Sequence, residues 1–89
     1  MTRPYVRRIT IRGKRWRIVV GKPPANRCDG LCCYKTRTIY VRRKIANRIP
    51  ALIHEVLHAC FPDMDEESIT EAEISLVTAL GVFDIKKLK

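Results

Sequence analysis

Leu52-Ile53-His54-Glu55-Val56-Leu57-His58-Ala59-Cys60 is the stretch on which this 89-residue sequence turns. Apolar residues surround two histidines four positions apart, so the pattern is that of a helix packed against a core, with both imidazoles on one face, one turn apart. Two imidazoles so placed can ligate one metal ion, and Glu55 beside them can act as general base on a metal-bound water. His54 and His58 are also the only histidines in the chain. The plainer alternative is a pair of surface or core histidines on an amphipathic helix.

Working outward, Asn47 can cap this helix and Pro50 falls in its first turn, where a missing N–H costs nothing. The helix should stop near Cys60, before Pro62. Pro62-Asp63-Met64-Asp65 reads as a tight connection. Asp65 or Glu66 can begin a second helix, with acids complementing the macrodipole. That helix is expected to run to about Leu80, with Gly81 as its breaker. Its apolar stripe at about 100° per residue comprises Ile69, Ala72, Leu76, Leu80 and Phe83. Lys86–Lys89 reads as a frayed tail.

Upstream, Tyr5–Ile11 and Trp16–Val20 are rich in β-branched and aromatic residues and flank Arg12-Gly13-Lys14-Arg15, which predicts a β-hairpin. Residues 21–30 collect Pro23, Pro24, Asn26, Asp29 and Gly30 and read as a loop. Leu31–Val41 reads as one or two strands, with Ile39 and Val41 on one face and Thr38 and Tyr40 on the other. The fold class expected is α+β. A small antiparallel or mixed sheet, made of the hairpin and a further strand, packs on a C-terminal helix pair. All of residues 1–89 form one domain with a thin core.

Charge divides the chain. Residues 1–48 hold 15 Lys and Arg and one acid, a formal charge of +14, whereas residues 49–89 hold three Lys and eight acids, a charge of −5. The basic half, with Tyr5, Trp16, Tyr34 and Tyr40 interleaved, can attract nucleic acid or an acidic partner, or can simply be a solvated face that discourages edge-to-edge aggregation. No apolar run approaches a membrane span and the N-terminus has no apolar signal core, so a cytoplasmic protein with reduced thiols is expected. Cys28, Cys32, Cys33 and Cys60 fit no common zinc-finger spacing and read as core residues and incidental thiols.

A catalytic metal site normally has three protein ligands and an open position. With no third histidine, the third ligand must be Asp, Glu or Cys. The second helix offers Glu66, Glu67, Glu71 and Glu73. Periodicity favours Glu73, at the edge of the apolar stripe, over Glu71, which lies beside Ser75 and Thr78.

His54-Glu55-Val56-Leu57-His58 followed by Glu71-Ala72-Glu73-Ile74-Ser75 resembles a very small gluzincin, the zincin group that includes thermolysin. Asp29-Gly30-Leu31, Thr36–Val41 and Leu52–Ala59 are similar to the corresponding parts of phage-encoded and ImmA/IrrE-type metallopeptidases. The resemblance spans roughly residues 29–82. It implies one zinc ion held by His54, His58 and Glu71, Ser75 supporting a ligand, and Glu55 as catalytic base. It further implies a metallopeptidase acting on a peptide or protein substrate, in the host cytoplasm if phage-encoded. The extended Leu31–Val41 segment is then the expected edge on which substrate adds as a strand. Another function, from a different class, is a basic nucleic-acid-binding or adaptor module whose zinc is structural or inactive.

Overall fold

The structure, a computed structural model, describes residues 5–21, 30–42 and 48–87. Its elements run β1 (Tyr5–Ile11), β2 (Lys14–Val20), β3 (Gly30–Cys33), β4 (Thr38–Val41), α1 (Arg48–Cys60) and α2 (Glu66–Lys87). The class is α+β: a four-stranded mixed sheet of order β1-β2-β4-β3, followed by two helices. None of the described helices is long and apolar enough to cross a membrane. Asn47, Cys28 and Asp29 lie outside the described residues.

β1 and β2 form the expected hairpin, in antiparallel register from Tyr5–Val20 to Ile11–Lys14. Its turn is only two residues long, because Arg12 (φ 52°) and Gly13 (φ 80°) both adopt left-handed conformations. That turn matches the twist of the flanking strands, so Lys14 and Arg15 join β2 instead of the connector. β2 then pairs in parallel with β4, and β3 folds back antiparallel onto β4. Only β3 of the Leu31–Val41 segment is therefore an edge; β4 lies inside the sheet.

Register decides the core. Trp16, Ile18, Ile39, Val41 and Cys32 occupy one face, with Ile9 opposite Trp16 and Cys32 opposite Ile39. Ile11, Trp16, Ile39, Val41 and Ala59 make the buried cluster, with Ala51, Leu52, Val56 and Cys60 of α1 packed onto it. The motif helix thus lies across β3 and β4 and turns its histidines away from the sheet. It is half-buried along most of its length, and only Ala59 is fully buried.

The second helix begins at Asp65, whose Oδ1 accepts a bond from the Ser68 N–H (2.9 Å) and whose carbonyl accepts from Ile69 N–H (3.0 Å). The Ser68 hydrogen bonds hold the Asp65 carboxyl below the usual carboxylate range. The helix does not stop at Gly81 but continues to Lys87. No proline follows Gly81, and nothing lies within 4 Å of where its Cβ would be. A solvated glycine costs a helix only about 1 kcal/mol, and with no neighbour for the chain to turn back on, the left-handed stop has nothing to gain. Of the predicted stripe, Ile69 is fully buried, whereas Leu76 and Leu80 are nearly half exposed; the Phe83 side chain lies outside the described residues. α2 packs on α1 through its first turns, and its second half leaves apolar side chains in solvent.

Candidate metal centre

The short connection Phe61–Asp65 sets the start of α2 beside the end of α1, and the site forms between them. His54 and His58 sit one turn apart, ring centroids 4.9 Å from each other. Their Nε2 atoms converge on one carboxylate, Glu66, at 2.8 Å from Oε2 for His54 and 2.9 Å from Oε1 for His58. The other nitrogen of His54, Nδ1, meets Glu73 Oε1 at 2.8 Å. His54, His58 and Glu66 offer ligand atoms all within 4.8 Å of one another, the only such grouping of His, Cys, Asp and Glu among the described residues.

Helical geometry explains the choice of carboxylates. Glu66, Ile69 and Glu73 are spaced i, i+3, i+7 and share a face. Burial of Ile69 turns that face toward α1, with Glu73 half-buried and Glu66 at its solvent-exposed end. Glu71 is rotated about 140° from Glu66 and is exposed, as is Ser75. The structure therefore does not bring Glu71 to the histidines, and it gives the ring-supporting position to Glu73 instead of Ser75. Sequence periodicity had the signal for Glu73. Glu66 follows from the same face once the helix is known to start at Asp65.

The donor set fits zinc, which takes imidazole nitrogen and carboxylate oxygen in three-ligand sites with an open position. A ligating histidine normally donates its second ring N–H to a carboxylate, which sets the tautomer and aims the lone pair. Glu73 at His54 Nδ1 supplies that partner. Burial disfavours charge on His54, but the Glu73 hydrogen bond and the nearby Glu66 outweigh it and hold its pKa above the ordinary imidazole value.

Glu55 projects from the same helix into an adjoining cavity of about 380 Å³, lined by Gly30, Leu31, Cys32, Tyr34, His58 and Met64 among others. Burial raises its carboxyl pKa, against the lowering influence of His54 and His58. A base so adjusted lies nearer the operating pH than an ordinary glutamate. Cys32 shares the cavity; burial first, then the Glu55 charge, push its thiol up to about 11. It is therefore a protonated wall residue. Cys33, adjacent in β3, points to the other face of the sheet. Tyr34 closes the end of the cavity, donating from its hydroxyl to the His58 carbonyl at 3.0 Å.

Gly30 is required by close approach. A Cβ there would stand 3.0 Å from Glu55 Cγ and 3.1 Å from the Tyr40 carbonyl oxygen. An added methyl would crowd the Tyr40 carbonyl and push the Glu55 side chain aside by a few tenths of an ångström. Were Glu55 to act as a general base, Gly30→Ala would lower turnover about tenfold or more with metal content unchanged, since small misplacements of such a group are costly. Unchanged turnover in a steady-state assay of the metal-loaded variant would show that Glu55 is not positioned by this contact.

No protein-family profile, curated protein or solved structure matches this chain.

Proposed function

We propose that the chain is a zinc-dependent metallopeptidase, with His54, His58 and Glu66 as metal ligands and Glu55 as general base. The observation that carries this reading is the convergence of both imidazole Nε2 atoms on one carboxylate, with Glu55 beside them in an open cavity. When bound, zinc supplies Lewis acidity, lowering the pKa of a water molecule and polarising a carbonyl. Glu55 accepts the proton of the attacking water and returns it to the leaving amine. Glu73 holds His54 in one tautomer and orientation. The outer edge of β3, beside Glu55, pairs with no other strand among the described residues and could receive an extended peptide. Tyr34, at the end of that strand, would stabilise developing negative charge by turning its hydroxyl away from the His58 carbonyl.

Elemental analysis of protein purified without a histidine tag tests the site. One zinc per chain is expected. His58→Ala should abolish it, Glu66→Gln should weaken it severely, and Glu73→Gln should weaken it by about 10–100-fold. Glu71→Gln should leave it unchanged; loss there, with Glu66→Gln silent, would restore Glu71 as the ligand implied by resemblance. Protons compete with metal for His54, and its raised pKa means that affinity should begin to fall at a pH above the ordinary imidazole range. A chain that takes up no metal under any of these conditions is not a metallopeptidase.

One feature favours nucleic-acid binding as a second reading. Arg8 lies directly opposite Arg17 on the sheet face away from the helices, beside Arg15, and all three are exposed. Like charges in direct cross-strand positions are destabilising, and a polyanion would relieve them. Binding of a single-stranded oligonucleotide at low salt, lost steeply as salt rises, is the signature; no binding at low salt removes this reading.

A further inference from the structure

A second concavity of about 360 Å³ adjoins the metal site. It shares the wall residues Tyr34 and Pro62 with the cavity that contains Glu55 and His58, so the two lie side by side. Its rim carries Arg12, Lys14, Lys35 and Arg37, and no acidic residue lines it. Its floor is apolar, with Ile11, Trp16 and Ala59 buried. Tyr34 stands edge-on to Trp16, ring centroids 6.3 Å apart, and is itself half exposed.

We propose that this groove is a recognition subsite for substrate polypeptide, taking an apolar or aromatic side chain flanked by acidic residues on the amino-terminal side of the cleaved bond. The proposal rests on the metallopeptidase reading and names the substrate class for that site.

Two tight turns set the rim: Arg12 and Arg37 have left-handed φ of 52° and 51°, the conformation such turns use, and both side chains lie on the same rim. Arg12 also reaches across to donate to the Cys60 carbonyl at 3.3 Å, tying the hairpin turn to the end of the motif helix.

Direction follows from the sheet edge. β3 runs from Gly30, beside Glu55, toward Cys33 and the Tyr34 turn. A peptide pairing antiparallel to β3, the commoner arrangement, runs the other way. Its residues before the scissile bond therefore lie at the Tyr34 end, over the groove. Carboxylates there meet four cations while an apolar side chain enters between them. Single-stranded nucleic acid fits less well. It binds on several exposed aromatic platforms along an extended track, whereas Trp16 is only 6% exposed and Tyr34 is the one exposed ring lining the groove.

Calorimetric titration of zinc-loaded Glu55→Gln protein tests the groove separately from turnover. The titrants are a peptide with Asp and Glu around a Phe, its Asn and Gln twin, and a single-stranded oligonucleotide. At low salt the acidic peptide is expected to bind about tenfold more tightly than its twin, and Lys14→Ala with Lys35→Ala to remove most of that advantage. Lys35→Glu alone gives a second substitution, at an exposed turn position, should the pair disturb the hairpin. Equal binding of the two peptides overturns the proposal. So does an oligonucleotide that binds more tightly and is lost with the same substitutions. Wild-type cleavage of a peptide library should show acidic residues upstream of the cut; cleavage without that preference refutes the subsite and leaves the peptidase intact. Charge-dependent peptide binding with no cleavage of any peptide does the reverse, keeping the groove as a peptide site and removing the peptidase.

Discussion

Glu55→Gln is expected to reduce peptide turnover by about 10²–10⁴-fold while leaving metal content unchanged, the loss typical of removing a general base. Glu55 contributes none of the three converging ligand atoms, so its amide analogue keeps the cavity shape and the His54–His58–Glu66 group intact. The same substitution should not destabilise the fold. Burial raises the Glu55 carboxyl pKa above its unfolded value. A carboxyl shifted in this direction favours the folded state most below its unfolded pKa, and that contribution is lost as pH rises through the folded pKa. At neutral pH the buried charge therefore opposes folding, and a neutral glutamine removes the opposition. Thermal unfolding of the metal-free protein at pH 7 should place the variant at or above the wild-type midpoint, with the difference vanishing below the ordinary carboxylate range. Full activity in the zinc-loaded variant would rule out the mechanism.

Ile69→Ala is expected to cost about 2–5 kcal/mol, the usual range for emptying a fully buried isoleucine site. Total stability for a chain of this size is on the order of 5–10 kcal/mol, so the midpoint should fall by on the order of 10 °C or more. Ile69 is completely buried and lies between Glu66 and Glu73 on the same helical face. Loosening it should also weaken metal binding, although Ile69 touches no metal. Leu76 and Leu80 belong to the same apolar stripe by sequence but are nearly half exposed. Leu76→Ala and Leu80→Ala should each stay within about 0.5 kcal/mol of wild type. Equal costs at Ile69 and Leu80, measured by denaturant titration, would mean that the second half of α2 is packed in solution, for example against a second copy of the chain.

The elements legible in the sequence were those set by local chemistry. The hairpin follows from β-branched runs around Arg12-Gly13, the motif helix from apolar residues at helical spacing, and the start of α2 from the Asp65 cap. Even so, Gly81 was a misleading stop, because a glycine ends a helix only when the chain has somewhere to turn. The edge strand was half legible: alternation marks Thr38–Val41 as strand but carries no information on whether a neighbour covers it. β2 does cover it, by parallel pairing across a connection that no local signal reveals.

By itself, then, the sequence determined the α+β order and the pairing of His54 with His58 beside Glu55, because four residues on a helix always return to the same face. Only the tertiary structure decided which carboxylates join them. Glu66, Glu71 and Glu73 are chemically identical, and what separates them is the rotation of α2 about its axis, fixed by the burial of Ile69 against the rest of the fold. The basic groove is likewise tertiary: its cations come from two tight turns distant in sequence, brought to one rim by the register of the sheet.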